Sequence, residues 1–450
     1  MFKRLVSLVM VSLMLLTLFV GCGKETDDTV KEANGDTTTA ASTEKATEAA
    51  KDTEAVKAEP VSITYFNFSA GADNAEVLNG MIADFEAENP DVKVVNEAVG
   101  YGEYFTQLAT KIAANDAPDC FELNMENFLA YSLRGAVKEL NPLFESTGID
   151  QTVYSEGVLS ACSIEDTLYA VPLSFSTVLL IYNKDLFDQA GVAYPTNEWR
   201  WADELAAAEK IRALGDDIYG INQDIQFWEF YKTVQKNGGN LMSEDGKSFT
   251  INSPANIEAL QHMQDRIWES NVQPTEEQRA DRGAQDLFIE GKMGMYYGGV
   301  WAFTDLVTRA GNVNWDVEVE PGNVAKASHF FANVGCISTT TDKDEAAFRF
   351  LNYIASNAKA VERRVSAQWE LPTINDPAML AAYLEITPPT NKAAVFESLD
   401  YAVKPPALEQ FAELVEIMTP KLDSVRDNLM TPKEALDAAQ EEAQASITIN

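Results

Sequence analysis

From Val61 onward the chain switches repeatedly between two hydrophobic periods, and that alternation limits its folding options more than any single motif does. Ser62-Ile63-Thr64-Tyr65-Phe66-Asn67-Phe68 reads as a strand, and Val77, Met81, Ile82 and Phe85 then recur at helical spacing. Strand character returns from Val92 to Asn96, after Asn89-Pro90. One-sided apolar stripes follow at Phe105, Leu108 and Ile112; at Leu260, Met263 and Ile267; at Phe348, Leu351 and Ala355; and at Phe411, Leu414, Val415 and Met418. Ser253-Pro254 and Thr431-Pro432 place a capping hydroxyl before a proline at the first helical position, with Glu434 where a capping box needs it. Strands alternating with helices predict an α/β fold with mostly parallel sheets covered on both faces. In such sheets ligands bind beyond the carboxyl ends of strands, so the loops after Phe68, after Leu123, near Phe175 and after Tyr297 are the places to look for a site. The chain shows no internal repeat of the 20 to 50 residues that marks a solenoid.

The first sixty residues have a different character. Lys3 and Arg4 precede an apolar run from Leu5 to Val20, followed by Gly21 and Cys22, the order of an export signal over residues 1–21. The run is short for a membrane-spanning helix, which needs about 20 apolar residues. Leu18-Phe19-Val20-Gly21-Cys22 resembles the lipobox of bacterial lipoproteins, with Phe19 where leucine is usual; the expectation is acylation at Cys22, the alternative an ordinary signal peptide with a chance cysteine. Residues 22–60, rich in Thr, Ala and Glu and lacking aromatic residues, cannot bury enough surface to offset ordering entropy. They read as a disordered stalk between a lipid anchor and a folded body at the outer face of the cell membrane.

Charge and rare residues exclude several functions. With 34 basic and 70 acidic residues the net charge is −36, which opposes nucleic acid as a partner. Two histidines and four cysteines leave little for a metal site, and neither metal nor cofactor is expected. With Cys22 acylated, Cys120, Cys162 and Cys336 remain; buried free thiols are expected, and a disulfide between two of them stays open. Gly246-Lys247-Ser248 resembles the tail of a phosphate loop, but position 241 is leucine and the cradle is missing; a hairpin turn after Asp245 is expected. The chain lacks His-Glu-x-x-His, Cys-x-x-Cys and Gly-x-Ser-x-Gly, and no catalytic residue is nominated.

A series of short motifs then carries a resemblance. In order they are Phe85-Glu86-Ala87-Glu88-Asn89-Pro90, Tyr101 to Tyr104, Ala117-Pro118-Asp119, Tyr169-Ala170-Val171-Pro172, and Tyr182-Asn183-Lys184-Asp185-Leu186-Phe187. Ala190-Gly191, Trp201 with Asp203-Glu204-Leu205, Gly238-Gly239, Phe288 to Met295, and Gly299-Val300-Trp301 continue it. Together they resemble the carbohydrate-binding, maltose-binding-protein-like family of extracellular solute-binding proteins that serve ABC importers. The resemblance implies two hinge-linked lobes of type II periplasmic-binding-protein architecture, residues 61–175 with 338–376 and residues 176–337 with 377–450. It implies a monomer, no catalysis, closure around a sugar, and delivery to the transmembrane subunits of a permease. A secreted glycoside hydrolase, which needs only two carboxylates about 5 to 9 Å apart, and a solute-binding protein for a non-sugar ligand remain the alternatives.

A sugar cleft needs aromatic platforms for C–H faces and side chains that exchange hydrogen bonds with hydroxyls. Trp301, after Gly298-Gly299, matches a family position that stacks on sugar; the other reading is a core tryptophan. Trp228 with Gln226 as polar partner, and Glu126 with Asn127 after the strand ending at Leu123, match further family contacts, against core packing and helix capping respectively. Asp73 and Asn74 follow the first strand, Phe175 and Ser176 lie on an expected crossing segment, and Trp369 and Tyr401 complete the candidates.

Overall fold

The computed structural model describes residues 59–71, 74–154, 156–165, 167–406, 408 and 410–449. The expected export signal, the acylation site at Cys22, the stalk as far as residue 58, and Asp73 lie outside them. No helix among the described residues is long and apolar enough to cross a membrane.

The strands run β1 (Val61–Asn67), β2 (Val92–Ala98), β3 (Cys120–Asn124), a short hairpin of β4 (Ser163–Ile164) and β5 (Thr167–Leu168), then β6 (Val171–Asn183), β7 (Tyr219–Asn222) and β8 (Met293–Gly299). They continue with β9 (Trp315–Glu318), β10 (Ser328–Ile337), β11 (Leu371–Pro372) and β12 (Ala402–Val403). The main sheet has the order β2-β1-β3-β10-β6-β8-β7, with β9 and β11 also on β6 and β12 on β10. Parallel pairing holds at both flanks, β1 with β2 and β3, and β7 with β8. The centre is antiparallel, because β6 and β10 run past each other in opposite directions and bind β3 and β8 on their far sides.

The helical stripes read from the sequence fall on helices Asn74–Glu88, Tyr101–Ala113, Pro254–Trp268, Asp344–Ser356 and Phe411–Arg426. Thr431 and Glu434 form the expected capping box, whereas Ser253 precedes its helix without a side-chain cap bond. The segment after Asp245 is a turn, closed by Ser243 N–H on the Ser248 carbonyl at 2.8 Å. Cys120, Cys162 and Cys336 are buried free thiols.

Two separate groups of core residues hang on this sheet. The first includes Ile63, Phe85, Phe121, Leu173, Val334, Phe348 and Trp369. The second group contains Leu179, Ile181, Tyr296, Val317 and Leu371, joined by Leu180, Ile221 and Met295 and by a helical cluster around Phe230, Met263, Leu414 and Leu436. The chain passes between the groups between Leu173 and Leu179, between Val319 and Val334, and between Trp369 and Leu371. β6 is 13 residues long and nearly continuously buried because one strand serves both cores: its first half pairs with β10, and from Val178 it pairs with β8.

Candidate functional site

The three passages meet at the base of a cleft of 590 Å³. On the side of the first core it is lined by Phe68, Ser69, Gly71, Asn74, Tyr101 and Asn124, from the ends of β1 and β3 and two helix starts. These are the loops expected at the carboxyl ends of parallel strands. Tyr101 stands edge-on to Phe68, ring centres 5.3 Å apart, and its hydroxyl accepts from Asn124 Nδ2 at 3.2 Å. Asn124 is also the N-cap of helix Met125–Leu133, its Oδ1 taking both the backbone N–H and the side-chain amide of Asn127.

The opposite side carries most of the aromatic surface. Trp301 sits in a single turn, Val300–Ala302, directly after β8 and is 40% exposed. Two contacts set its pose. Ser176 Oγ accepts the Val300 N–H at 2.9 Å, and Gly299 gives the indole room, since a Cβ there would lie 2.1 Å from the Trp301 ring. Phe331 on β10 lies between the two tryptophans, its ring centre 5.8 Å from Trp301 and 6.0 Å from Trp228. Trp228 opens helix Phe227–Lys236, where Gln226 Oε1 caps by accepting the Trp228 N–H at 2.7 Å. The capping commits the amide oxygen of Gln226, whose side chain lines the cleft. His329 Nε2 donates to the Trp228 carbonyl at 2.8 Å, so Nδ1 accepts from the Tyr231 hydroxyl at 3.1 Å. Burial, with Lys232 nearby, holds this histidine neutral, its pKa down at about 3.

Behind that wall lies a buried charge network. Glu229, which faces the cleft, is bonded to Lys232 at 2.8 Å; Lys232 and Lys236 both reach Glu320, and none of these three side chains meets solvent. Burial alone would raise the Glu229 pKa, but Lys232 and its neighbours hold the carboxylate down at about 2. Tyr297 donates its hydroxyl to Glu204, which pairs with the buried Arg266, and Lys236 Nζ stands 4.4 Å from the centre of the Tyr297 ring. Tyr297 and Glu229 are thus fixed from behind.

Among the residues nominated from the sequence, Trp301, Trp228, Gln226 and Asn74 come together on the cleft. Ser176 lies beneath it as the support of the Trp301 turn, and Phe175 packs on Phe330 with ring centres 5.8 Å apart. Asn127 is tied to the Asn124 cap. Glu126 lies off the lining with its Oε2 buried and unpartnered, and burial pushes its carboxyl up to about 7. Trp369 is 1% exposed in the first core, with the Arg364 guanidinium 4.3 Å from its ring centre; its neighbour Glu370 reaches the cleft in its place. Tyr401 packs on the second core, with Lys326 Nζ 5.0 Å from its ring centre. The sequence reading missed Tyr101, Phe331, Asn333, Asp305, Asn222 and Glu370. Two signals were present: Phe331 and Asn333 alternate on one strand face, and Asp305 falls one helical turn after Trp301. No cluster of three or more His, Cys, Asp or Glu able to hold a metal occurs among the described residues.

Residues 71–361 match the family model for bacterial extracellular solute-binding proteins, and the chain belongs to that family. Its fold is the two-lobed α/β fold of sugar-binding proteins of ABC transporters. It is similar to an ABC substrate-binding protein from Listeria monocytogenes solved in complex with cycloalternan, at 38% identity and TM-score 0.81, covering 86% of this chain and 99% of that one. The galactooligosaccharide-binding protein of Bacillus subtilis is 23% identical over 389 residues, 83% of this chain and 88% of the relative. A binding protein of Brucella abortus is 27% identical over 273 residues, a match spanning 58% of this chain and 64% of the relative's length.

Proposed function

We propose that this protein captures an oligosaccharide in the cleft between its lobes by hinge closure and delivers it to the membrane permease of an ABC importer. The observation that carries this reading is the distribution of rings: Phe68 and Tyr101 on one side, and Trp301, Phe331 and Trp228 on the other, with amides and carboxylates between them. Flat apolar faces opposed across a polar trough suit sugar rings, whose C–H faces stack while their hydroxyls exchange hydrogen bonds. Ligand contacts from both sides stabilise the closed arrangement, which is what makes closure ligand-dependent. The resemblance to the Listeria protein makes cycloalternan the first ligand to test, with galacto-oligosaccharides next.

The lobes in this reading are divided where the core residues change hands, on β6 after Leu173, on β10 before Val334, and at Glu370. Acylation at Cys22 and a monomeric body on the outer face of the membrane complete the proposal; mass spectrometry of the Cys22 peptide and light scattering test these parts. The central test is calorimetric titration with a panel of neutral oligosaccharides, with chromatography of the mixtures afterwards. Micromolar binding, about −8 kcal/mol, without products and weakened in Trp301→Ala, is the expected result. Shortened products would establish a glycoside hydrolase instead.

A further inference from the structure

Three side chains that line the cleft each hold a buried oxygen without a hydrogen-bond partner: Oδ1 of Asn74, of Asn222 and of Asp305. The orientation of the two amides is fixed by partners that can only accept. Asn74 Nδ2 donates to the Ser69 carbonyl at 3.4 Å, and Asn222 Nδ2 to the Asp224 carboxylate at 3.0 Å. The other oxygen of Asp305 receives Gln285 Nε2 at 2.6 Å and Arg309 at 2.7 Å. In all three places the group left over is an acceptor. Asn222 is 3% exposed, so bulk water does not serve it, and buried polar atoms in folded proteins are almost always paired. Asn74 opens a helix that packs on the first core, whereas Asn222 ends β7 and Asp305 lies on helix Phe303–Arg309 of the second, so the acceptors face the cleft from both lobes.

The charges on the walls narrow the ligand further. Among the described residues no lysine or arginine lines the cleft, and the charged ones that do are Asp224, Glu229, Asp305 and Glu370. Each is paired with a base: Arg279 with Asp224, Lys232 with Glu229, Arg309 with Asp305, and Arg364 at 3.9 Å from Glu370. An anionic ligand would meet four carboxylates and no free cation, while a cationic one would find every carboxylate already paired.

We infer that the ligand is an uncharged, hydroxyl-rich molecule that donates hydrogen bonds to Asn74, Asn222 and Asp305, and that these three oxygens decide which molecule is taken. The inference rests on the oligosaccharide reading and deepens it. Aromatic faces accept many sugars, but a site built to receive a hydroxyl proton rejects an analogue that lacks one, because its buried acceptors stay unpaired.

The test is calorimetric titration of the full protein with cycloalternan, a galacto-oligosaccharide and a maltodextrin. The tightest binder is then compared with its per-O-methylated, phosphorylated and amino-substituted forms. The per-O-methylated and phosphorylated forms should bind about a hundredfold or more weaker, and the amino-substituted form no tighter than the parent. Asp305→Asn should weaken the parent about tenfold yet bind the per-O-methylated form better than the unaltered protein does, because its amide can donate to an ether oxygen. Equal affinity for the parent and per-O-methylated forms would overturn the inference and leave the oligosaccharide reading intact. Preference for the phosphorylated or amino-substituted form would overturn the uncharged class. Silence from every neutral oligosaccharide would remove the oligosaccharide reading and this inference with it.

Discussion

The Glu370 carboxylate accepts the side-chain amide of Asn333 at 3.2 Å on each of its oxygens. Ser174 donates its hydroxyl to the same carboxylate, and Ser174 and Asn333 are register partners across β6 and β10. One acid thus joins all three segments that pass between the cores, on the floor of the cleft. Burial raises its pKa, with Arg364 opposing, and its backbone lies in the left-handed region at φ 52°, two residues after Gln368 at φ 56°.

Glu370→Ala is expected to lower stability by about 3 kcal/mol, since it strands a buried hydroxyl, an amide and a guanidinium together. Glu370→Gln, which keeps shape and one acceptor, should lose about 1 kcal/mol. Urea unfolding of both variants checks the order, and equal losses would contradict the three-segment clasp.

Gly299→Ala tests the seat of Trp301. The added methyl collides with the indole and not with the backbone of a neighbouring element, so the ring must turn away. Ligand affinity should fall about tenfold, approaching the loss in Trp301→Ala, for the price of one stacking contact of about 1.4 kcal/mol. Calorimetry of the two variants side by side measures it; unchanged affinity in Gly299→Ala would mean that the observed ring pose is not the one that binds.

Stability should carry a pH signature from Glu122. Burial, then Glu370, pushes its pKa up to about 7, against about 4.3 in an unfolded chain. Between those values the unfolded state releases the proton while the folded state keeps it, so this group's contribution falls as pH rises from about 4.3 to 7 and is fully present only below that window. The penalty at pH 7.5 is of order 3 kcal/mol. Glu122→Gln, which can still accept the Phe68 and Ser69 N–H groups that Oε2 takes now, should gain stability relative to the unaltered protein at pH 7.5 and not at pH 4. Thermal unfolding at both pH values decides; a difference independent of pH would refute the raised pKa.

Lys232→Met removes the cation shared by Glu229 and Glu320 while keeping the apolar stem. A loss of about 3 to 5 kcal/mol is expected, because two buried carboxylates lose a partner at once. Adding Glu320→Gln should restore part of it, which a double-mutant cycle in urea would show.

What was readable in the sequence follows physical scale. The helices at Val77 to Phe85 and Phe411 to Met418 announced themselves because a buried stripe repeats every 3.6 residues whatever it packs on. Trp301 was nominated from the glycine pair before it together with the resemblance, and Trp228 from the resemblance alone; both line the cleft. The antiparallel centre of the sheet was not legible: local patterning says that β6 and β10 are strands, but not that one strand serves two cores. Trp369 and Glu370 show the same limit, as adjacent residues facing opposite ways and sorted only by the tertiary fold. Phe331 and Asn333 reach the site because β10 pairs with β6 and β3 over long stretches of sequence, which their alternation alone does not reveal, whereas Asp305 needs only the short helical turn after Trp301.

Cys120 on β3 is the register partner of Ile337 on β10. A ribosome delivers the first of these long before the second, and closing so long a loop costs about 5 kcal/mol of chain entropy. Until β10 emerges, β3 presents an open edge and the first core lacks Val334 and the helix bearing Phe348. The amino-terminal half therefore lacks part of its sheet and core until most of the chain has been made. Termination anywhere before Ser328 should yield a sticky fragment and never a half-sized folded one.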